Sequence, residues 1–186
     1  LPVKVTLQVR DNQAPIASST RVSLMEDTQK SFTLEAVDHD GDPIQYEVTS
    51  APKNGKISGS GKKLSYRPNE NFFGKDELSF KVMDEKKEGN TAKVTFIINP
   101  VNDTPWITSE TITVKEDELI MIKPKYGDPD GDTVQLQLIQ NPKNGLALKQ
   151  GETWLFFPDT NYNGKDTLRF SASDGTLQSE ALITLQ

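Results

Sequence analysis

With 186 residues and a formal net charge of −6, the chain is long enough for two small hydrophobic cores and too acidic to offer a nucleic-acid backbone the cationic surface it needs. It has no cysteine and a single histidine, His39, which excludes a disulfide framework, a thiolate zinc site and any site built on several imidazoles. No apolar run approaches the ~20 residues of a membrane-spanning helix, so no direct membrane insertion is expected.

The chain starts at Leu1 rather than Met, and residues 2–9 alternate like a strand, much as residues 92–97 do later. Residues 1–10 are therefore expected to be the last strand of a preceding domain or an N-terminal strand. The whole reads as an excised piece of a protein that continues in both directions. A joint follows at residues 11–15, then the acidic pair Glu26-Asp27. Phe32, Leu34 and Ala36 share one face of an alternating run and lead into Asp38-His39-Asp40-Gly41-Asp42. Ile44, Tyr46 and Val48 form the next stripe, closed by Pro52-Lys53-Asn54-Gly55, whose Asn-Gly step is a hairpin signal. Ser58-Gly59-Ser60-Gly61 reads as a hairpin tip, and Leu64 and Tyr66 follow it. In Asn71-Phe72-Phe73-Gly74-Lys75-Asp76 an aromatic plug is expected beneath a loop. Leu78, Phe80 and Val82 and then Val94, Phe96 and Ile98 complete the unit, with Asp84 and a solvated Lys86-Lys87 loop between them.

After a two-proline linker at residues 99–105, the same order returns 90 positions on. Glu116-Asp117, Asp128, Asp130, Gly131, Asp132, Pro142-Lys143-Asn144-Gly145, Asn161, Gly164, Lys165, Asp166 and Asp174 repeat their counterparts. A period this long makes each copy a domain rather than one solenoid unit. The expected boundaries are 1–10 for the extra strand, 11–100 for the first repeat and 101–186 for the second. Short period-two runs broken every 8 to 12 residues by turn formers predict an all-β chain: two tandem Greek-key β-sandwiches, end to end, with almost no helix. Trp154, opposite Leu64, is expected in the core, and Trp106 at the joint.

What recurs most faithfully is acid. Asp-x-Asp-Gly-Asp on its own is an ordinary surface turn, because Asp caps its own backbone and Gly accepts positive φ. Its return with every aspartate kept, beside Glu-Asp pairs and an acidic linker, reads as carboxylates placed for a hard cation. It is not an EF-hand, since Gly41 stands at position four and Thr49 at position twelve. Paired carboxylates also serve glycosidases, but duplicated turn acids without an evident cleft suit catalysis poorly, and no enzyme activity is expected.

Glu26-Asp27, the Asp38–Asp42 run, Asn71 to Asp76 and the Asn102-Asp103-Thr104-Pro105 linker resemble the tandem immunoglobulin-like, cadherin-like repeats of large bacterial surface adhesins. The resemblance covers about residues 11–186. It implies calcium ions at the domain joints. By that resemblance the central joint would draw Glu26 and Asp76, with Glu77 as a further candidate, from the first repeat, Asn102 and Asp103 from the linker, and Asp128, Asp130 and Asp174 from the second. An upstream joint would draw Asp11, Asn12, Asp38, Asp40 and Asp84, and is expected to hold fewer ions or bind more weakly because Gln13 stands where Asp103 does. Glu116 and Asp166 would serve a downstream joint, and Asp42 and Asp132 are peripheral. The implied role is that of calcium-rigidified extender repeats of an extracellular adhesin supporting adhesion and biofilm. Their partners would be neighbouring repeats, with a surface glycan or protein met through other domains. The alternatives are a glycan- or protein-binding module and a spacer of a secreted polysaccharide-degrading enzyme.

Overall fold

A computed structural model describes residues 11–186, and the strand expected in residues 1–10 lies outside the described residues. There is no helix among the described residues. The chain forms two compact units that divide between Val101 and Asn102.

The first unit has nine strands: β1 (Ile16–Ser18), β2 (Thr20–Met25), β3 (Lys30–Thr33), β4 (Glu35–Val37), β5 (Gln45–Ser50), β6 (Gly55–Ser60), β7 (Lys63–Pro68), β8 (Gly74–Met83) and β9 (Glu88–Asn99). One sheet has the order β2-β9-β8-β5 and the other β3-β7-β6, with β1 paired to β4 beside them. The second unit repeats this with β10 (Trp106–Ile107), β11 (Glu110–Ile112), β12 (Ile120–Ile122), β13 (Tyr126–Gly127), β14 (Gln135–Gln140), β15 (Gly145–Gln150), β16 (Thr153–Pro158), β17 (Asp166–Ser173) and β18 (Gln178–Leu185). Its sheets are β11-β18-β17-β14 and β12-β16-β15. In both units the pairing of the early strand with the last one, β2 with β9 and β11 with β18, is parallel. Each unit is thus a β-sandwich whose alternating strands turn one apolar face inward.

The cores follow the period-two stripes. In the first unit Leu34, Tyr66, Leu78, Phe80, Val82, Val94 and Phe96 are buried, and the Tyr66 and Phe96 rings stack 3.9 Å apart. In the second, Trp154 meets Phe170 edge-on at 4.8 Å among Ile122, Phe156, Leu168 and Ile183, so Trp154 is a core residue as its strand position requires. Each such aromatic stabilises its sandwich by about 1.5–3 kcal/mol through burial. Phe72 packs on the core as a plug, whereas Phe73 stays exposed.

One expected turn is a hairpin tip, at the end of the Ser58–Gly61 stretch, and the other is not. The hairpin between β6 and β7 turns at Gly61-Lys62, and its equivalent at Gly151-Glu152, both glycines having positive φ. Asn54-Gly55 is no hairpin tip: it carries the chain from β5 in one sheet to β6 in the other. The register slips between Val48 and Ser50 just before it, and between Leu138 and Gln140 in the second unit, which ends one ladder and re-aims the chain. Gly55 is required there by contact, since a Cβ would lie 2.4 Å from the Tyr66 ring.

The crossing is held by Asp76. Its Oδ1 accepts from the Lys53 amide at 3.0 Å and the Glu77 amide at 2.9 Å. Its Oδ2 accepts from the Asn54 amide at 2.7 Å and the Tyr66 hydroxyl at 3.0 Å. A carboxylate offers about four acceptor positions, and all are filled. Asp166 repeats three of these bonds, to Lys143, Asn144 and Thr167, and Phe156 stands where Tyr66 would supply the fourth. Burial, with the Asp76 hydrogen bond behind it, raises the Tyr66 phenol well above its usual range. Replacing Asp76 with Ala takes a partner from three amides and leaves the Tyr66 hydroxyl only the Asn54 carbonyl at 3.3 Å, and is expected to cost about 2–4 kcal/mol. Tyr66→Phe, which only converts this carboxylate into the Asp166 arrangement, should cost about 1 kcal/mol. Urea unfolding of the two variants measures the difference, and equal losses would contradict the assignment.

Candidate metal centre

The Asp-x-Asp-Gly-Asp segments fold identically in both units because the first aspartate organises the loop. Asp128 Oδ1 accepts from the Asp130 amide at 2.8 Å and from the Asp132 amide at 3.4 Å. Asp38 Oδ1 does the same for Asp40, at 2.8 Å, and Asp42, at 3.2 Å. Gly131 and Gly41 take φ of +80° and +81°, the left-handed turn that lets the third aspartate come back toward the first. The second aspartate then ties down the preceding segment. Asp130 Oδ2 accepts from the Asp103 amide at 2.7 Å, and Asp40 Oδ2 from the Gln13 amide at 2.5 Å.

A third strand end closes each cluster. Asp174 Oδ1 accepts from the Thr176 and Leu177 amides at 2.6 and 2.7 Å, shaping the β17–β18 turn, and its Oδ2 takes Asn102 Nδ2 at 2.8 Å. Asp84 does the same with the Lys86 and Lys87 amides and with Asn12 Nδ2 at 3.0 Å. Within the second unit the structure therefore brings together Asn102, Asp103, Asp128, Asp130 and Asp174, and within the first Asn12, Asp38, Asp40 and Asp84. Oxygens of Asp128, Asp130 and Asp132 lie within 4.8 Å of one another, so Asp132 sits nearer the centre than its turn role implied. Asp11 is exposed, and the residue in its position in the second copy is Val101.

Each cluster keeps an oxygen that the protein leaves unsatisfied. Asp38 Oδ2 and Asp128 Oδ2 are buried without a hydrogen-bond partner, and so is Asn12 Oδ1. An orphaned buried acceptor is costly, and several converging carboxylate oxygens repel one another. A hard cation with 6 to 8 oxygen ligands and loose angular demands answers both problems, so the donor set fits calcium.

In the first unit, Glu26 follows the end of β2. It is 1% exposed, its Oε1 accepts from the Val101 amide at 2.6 Å, and its Oε2 is also buried and unpartnered. Glu116 is exposed. Asp76 does not belong to such a site: its oxygens are consumed by the crossing turn, which corrects the expectation of a metal ligand there. Glu77 is exposed and pairs with Lys93 at 2.9 Å. Two features escaped the sequence reading. Asp27 and Asp117, both at positive φ, accept from the amides of Asn71 and Asn161 and so pin one loop to another. Lys87 Nζ donates to the Asn12 carbonyl, and Lys86 lines the same hollow as Asn12, Asp40 and Asp42, so this loop places cations beside the first cluster. Trp106 is half exposed and lies across Gly127, where any Cβ would strike its ring.

Residues 12–97 and 102–186 each match the bacterial Ig domain family. The chain belongs to that family. Among curated proteins, this bacterial Ig pair is 30% identical over 102 residues to the integrin beta-like protein E of Dictyostelium discoideum, a match covering 48% of the pair and only 5% of that protein. Among solved structures it is similar to PcdhgB3 EC1-4, with a TM-score of 0.58, 19% identity, and 95% of this chain and 49% of that one covered. It is also similar to protocadherin gamma B2 extracellular cadherin domains 3-6, with a TM-score of 0.54, 15% identity, and 92% and 46% coverage. The fold is thus that of tandem Ig-like, cadherin-like repeats.

The Leu177 amide, followed by Asn102 and the Thr176 amide, holds the Asp174 carboxyl well below the ordinary value of 3.8. A folded value below the unfolded one stabilises the turn fully above about pH 4, and the contribution is lost as pH falls through the folded value. In calcium-free buffer the Leu177 amide resonance should titrate with a midpoint well under 3.8. A midpoint at the ordinary aspartate value would show that these bonds do not hold the anion.

Proposed function

We propose that these repeats are calcium-stiffened, non-catalytic extender domains of an extracellular bacterial adhesin. Their task is to hold a distal binding region away from the cell and so to support adhesion and biofilm formation. One observation carries the reading. The same buried oxygen, on Asp38 and on Asp128, is left without a donor in both copies, in a loop whose other acids already crowd around it.

The residues that would hold calcium are Asn102, Asp103, Asp128, Asp130 and Asp174, with Asp132 in support, and in the first repeat Asn12, Asp38, Asp40 and Asp84. Glu26 is a further donor by virtue of its own unpartnered oxygen. Bound calcium would neutralise acids that otherwise repel, and would thereby freeze rotation of the two-proline linker and stiffen the array. Extracellular modules of this kind bind at ~10⁻⁴–10⁻³ M, which suits a calcium-rich exterior.

Calorimetric titration should give calcium heats in that range for the wild type, with Asp128→Ala and Asp130→Ala weakening the second cluster at least about tenfold. Chelation should lower the melting temperature and broaden the interdomain angles seen in solution scattering. Identical melting and scattering with and without chelator would defeat the proposal. The first cluster competes with its own lysines and has Gln13 in place of Asp103, so it should bind more weakly. Lys86→Ala with Lys87→Ala should tighten it by a factor of about 3 to 10, an effect that shrinks with added salt. No change in affinity would exclude the lysines as competitors.

A further inference from the structure

The two repeats share a fold but not an outer face. In the second repeat the solvent side of the β12-β16-β15 sheet is built by register. Met121 lies opposite Leu155, and Leu155 opposite Leu148. One pleat along, Phe157 lies opposite Leu146, and Leu119 precedes β12 on the same side. Leu119, Met121, Leu146, Leu148 and Phe157 are 51%, 64%, 54%, 48% and 40% exposed, and Leu155 is half-buried between them. The inward side chains of these strands, Ile122, Trp154, Phe156 and Ala147, already form the core, so the outer six have no partner within their sandwich.

The first repeat shows that the fold does not require this. At the same positions it carries Gln29, Ser31, Ser65, Ser58, Arg67 and Lys56. Ser31 and Ser65 pair across the strands through a 2.8 Å hydrogen bond, and Lys56 faces Arg67. One copy presents water with hydroxyls and cations, and the other presents two adjoining rows of aliphatic and aromatic side chains. Six such side chains at about half exposure amount to on the order of 500 Å² of contiguous apolar surface, at the upper end of what a monomer normally leaves bare.

We propose that this face is the interface of a symmetric dimer, in which the outer sheet faces of two second repeats pack against each other. Three features select a second copy as occupant. The face is a pleated sheet surface, which suits a second sheet packed over it. No charge interrupts the two rows, so the partner must be apolar over the same extent, and this face meets that requirement while the corresponding face of the first repeat does not. Two copies together would bury roughly 1,000 Å², which reaches the lower bound of a specific, weak interface.

The test is sedimentation equilibrium of the whole chain between about 10 µM and about 1 mM, where an interface of this size should reveal itself. It is run beside the double variant Met121→Lys/Leu148→Lys and the matched first-repeat variant Ser31→Lys/Ser58→Lys. Wild type and first-repeat variant should move toward twice the chain mass, while Met121→Lys/Leu148→Lys stays monomeric to at least tenfold higher concentration. All four positions are exposed, so the melting temperatures should stay together. A second measurement needs no variant: hydrogen exchange at the Leu146 to Leu148 amides should slow as protein concentration rises. A wild type that remains monomeric overturns the proposal, and co-sedimentation of that monomer with phosphatidylcholine vesicles would assign the face to lipid instead. A folded Met121→Lys/Leu148→Lys variant that associates as strongly as wild type overturns it as well, by placing any dimer elsewhere.

Discussion

The feature on which everything else turns is a carboxylate used twice. In Asp38 and Asp128 one oxygen gathers the amides of the loop that follows and gives that loop its shape. The other oxygen is carried inward by the same geometry and finds no donor. A protein that wanted only a tight turn would not retain a group whose second half is stranded away from water, because an unmet buried acceptor offsets much of what the turn contributes. Shape and unmet charge are therefore produced by one side chain. The segment before the strands and the β8–β9 turn are drawn to the same place by Asp40 and Asp84, so the crowding of acids is enforced by the fold itself.

Much of this was legible in the residues. Alternation located the long strands, because the side-chain period of a strand is two and the cores follow it without exception at Leu78, Phe80, Val82, Val94 and Phe96. The short strands β1, β10 and β13 were not legible, because two or three residues carry no period and their pairing depends on partners elsewhere in the chain, whereas β4 lay within the Phe32 to Ala36 run. Asp76 was misread for a physical reason. Sequence records that a carboxylate is present and not how many amides surround it, and two amides of a crossing turn 22 and 23 positions away fill the places a cation would take. The Asn-Gly signal misled in the same way, since Gly55 answers to the Tyr66 ring and not to a turn.

The acid and apolar features diverge between the copies on different principles. Where the repeat serves a shared geometric purpose, at Asp38 and Asp128 or Asp76 and Asp166, the residues are identical. Where a face merely meets solvent, Ser31, Ser65 and Ser58 have become Met121, Leu155 and Leu148 without altering the register beneath them. Strand alternation allows this independence, because inner and outer side chains belong to opposite sides of one backbone. The outer rows stayed hidden in the sequence because Leu146 and Leu148 flank a core residue, and only cross-strand register shows that they join Met121 and Phe157.

The parallel pairing of β2 with β9 bears on how such a domain meets a mechanical load. Tension that enters ahead of β1 and leaves beyond β9 pulls two neighbouring strands past each other along their length, and six successive residue pairs, from Thr20 with Val94 to Met25 with Asn99, are strained together. An antiparallel hairpin pulled at its open end would yield one rung at a time. The second repeat has a shorter run of this kind, three pairs from Glu110 with Ile183 to Ile112 with Leu185, continued by the bonds of Gln186 with Ile112 and Val114, so fewer rungs share the same load.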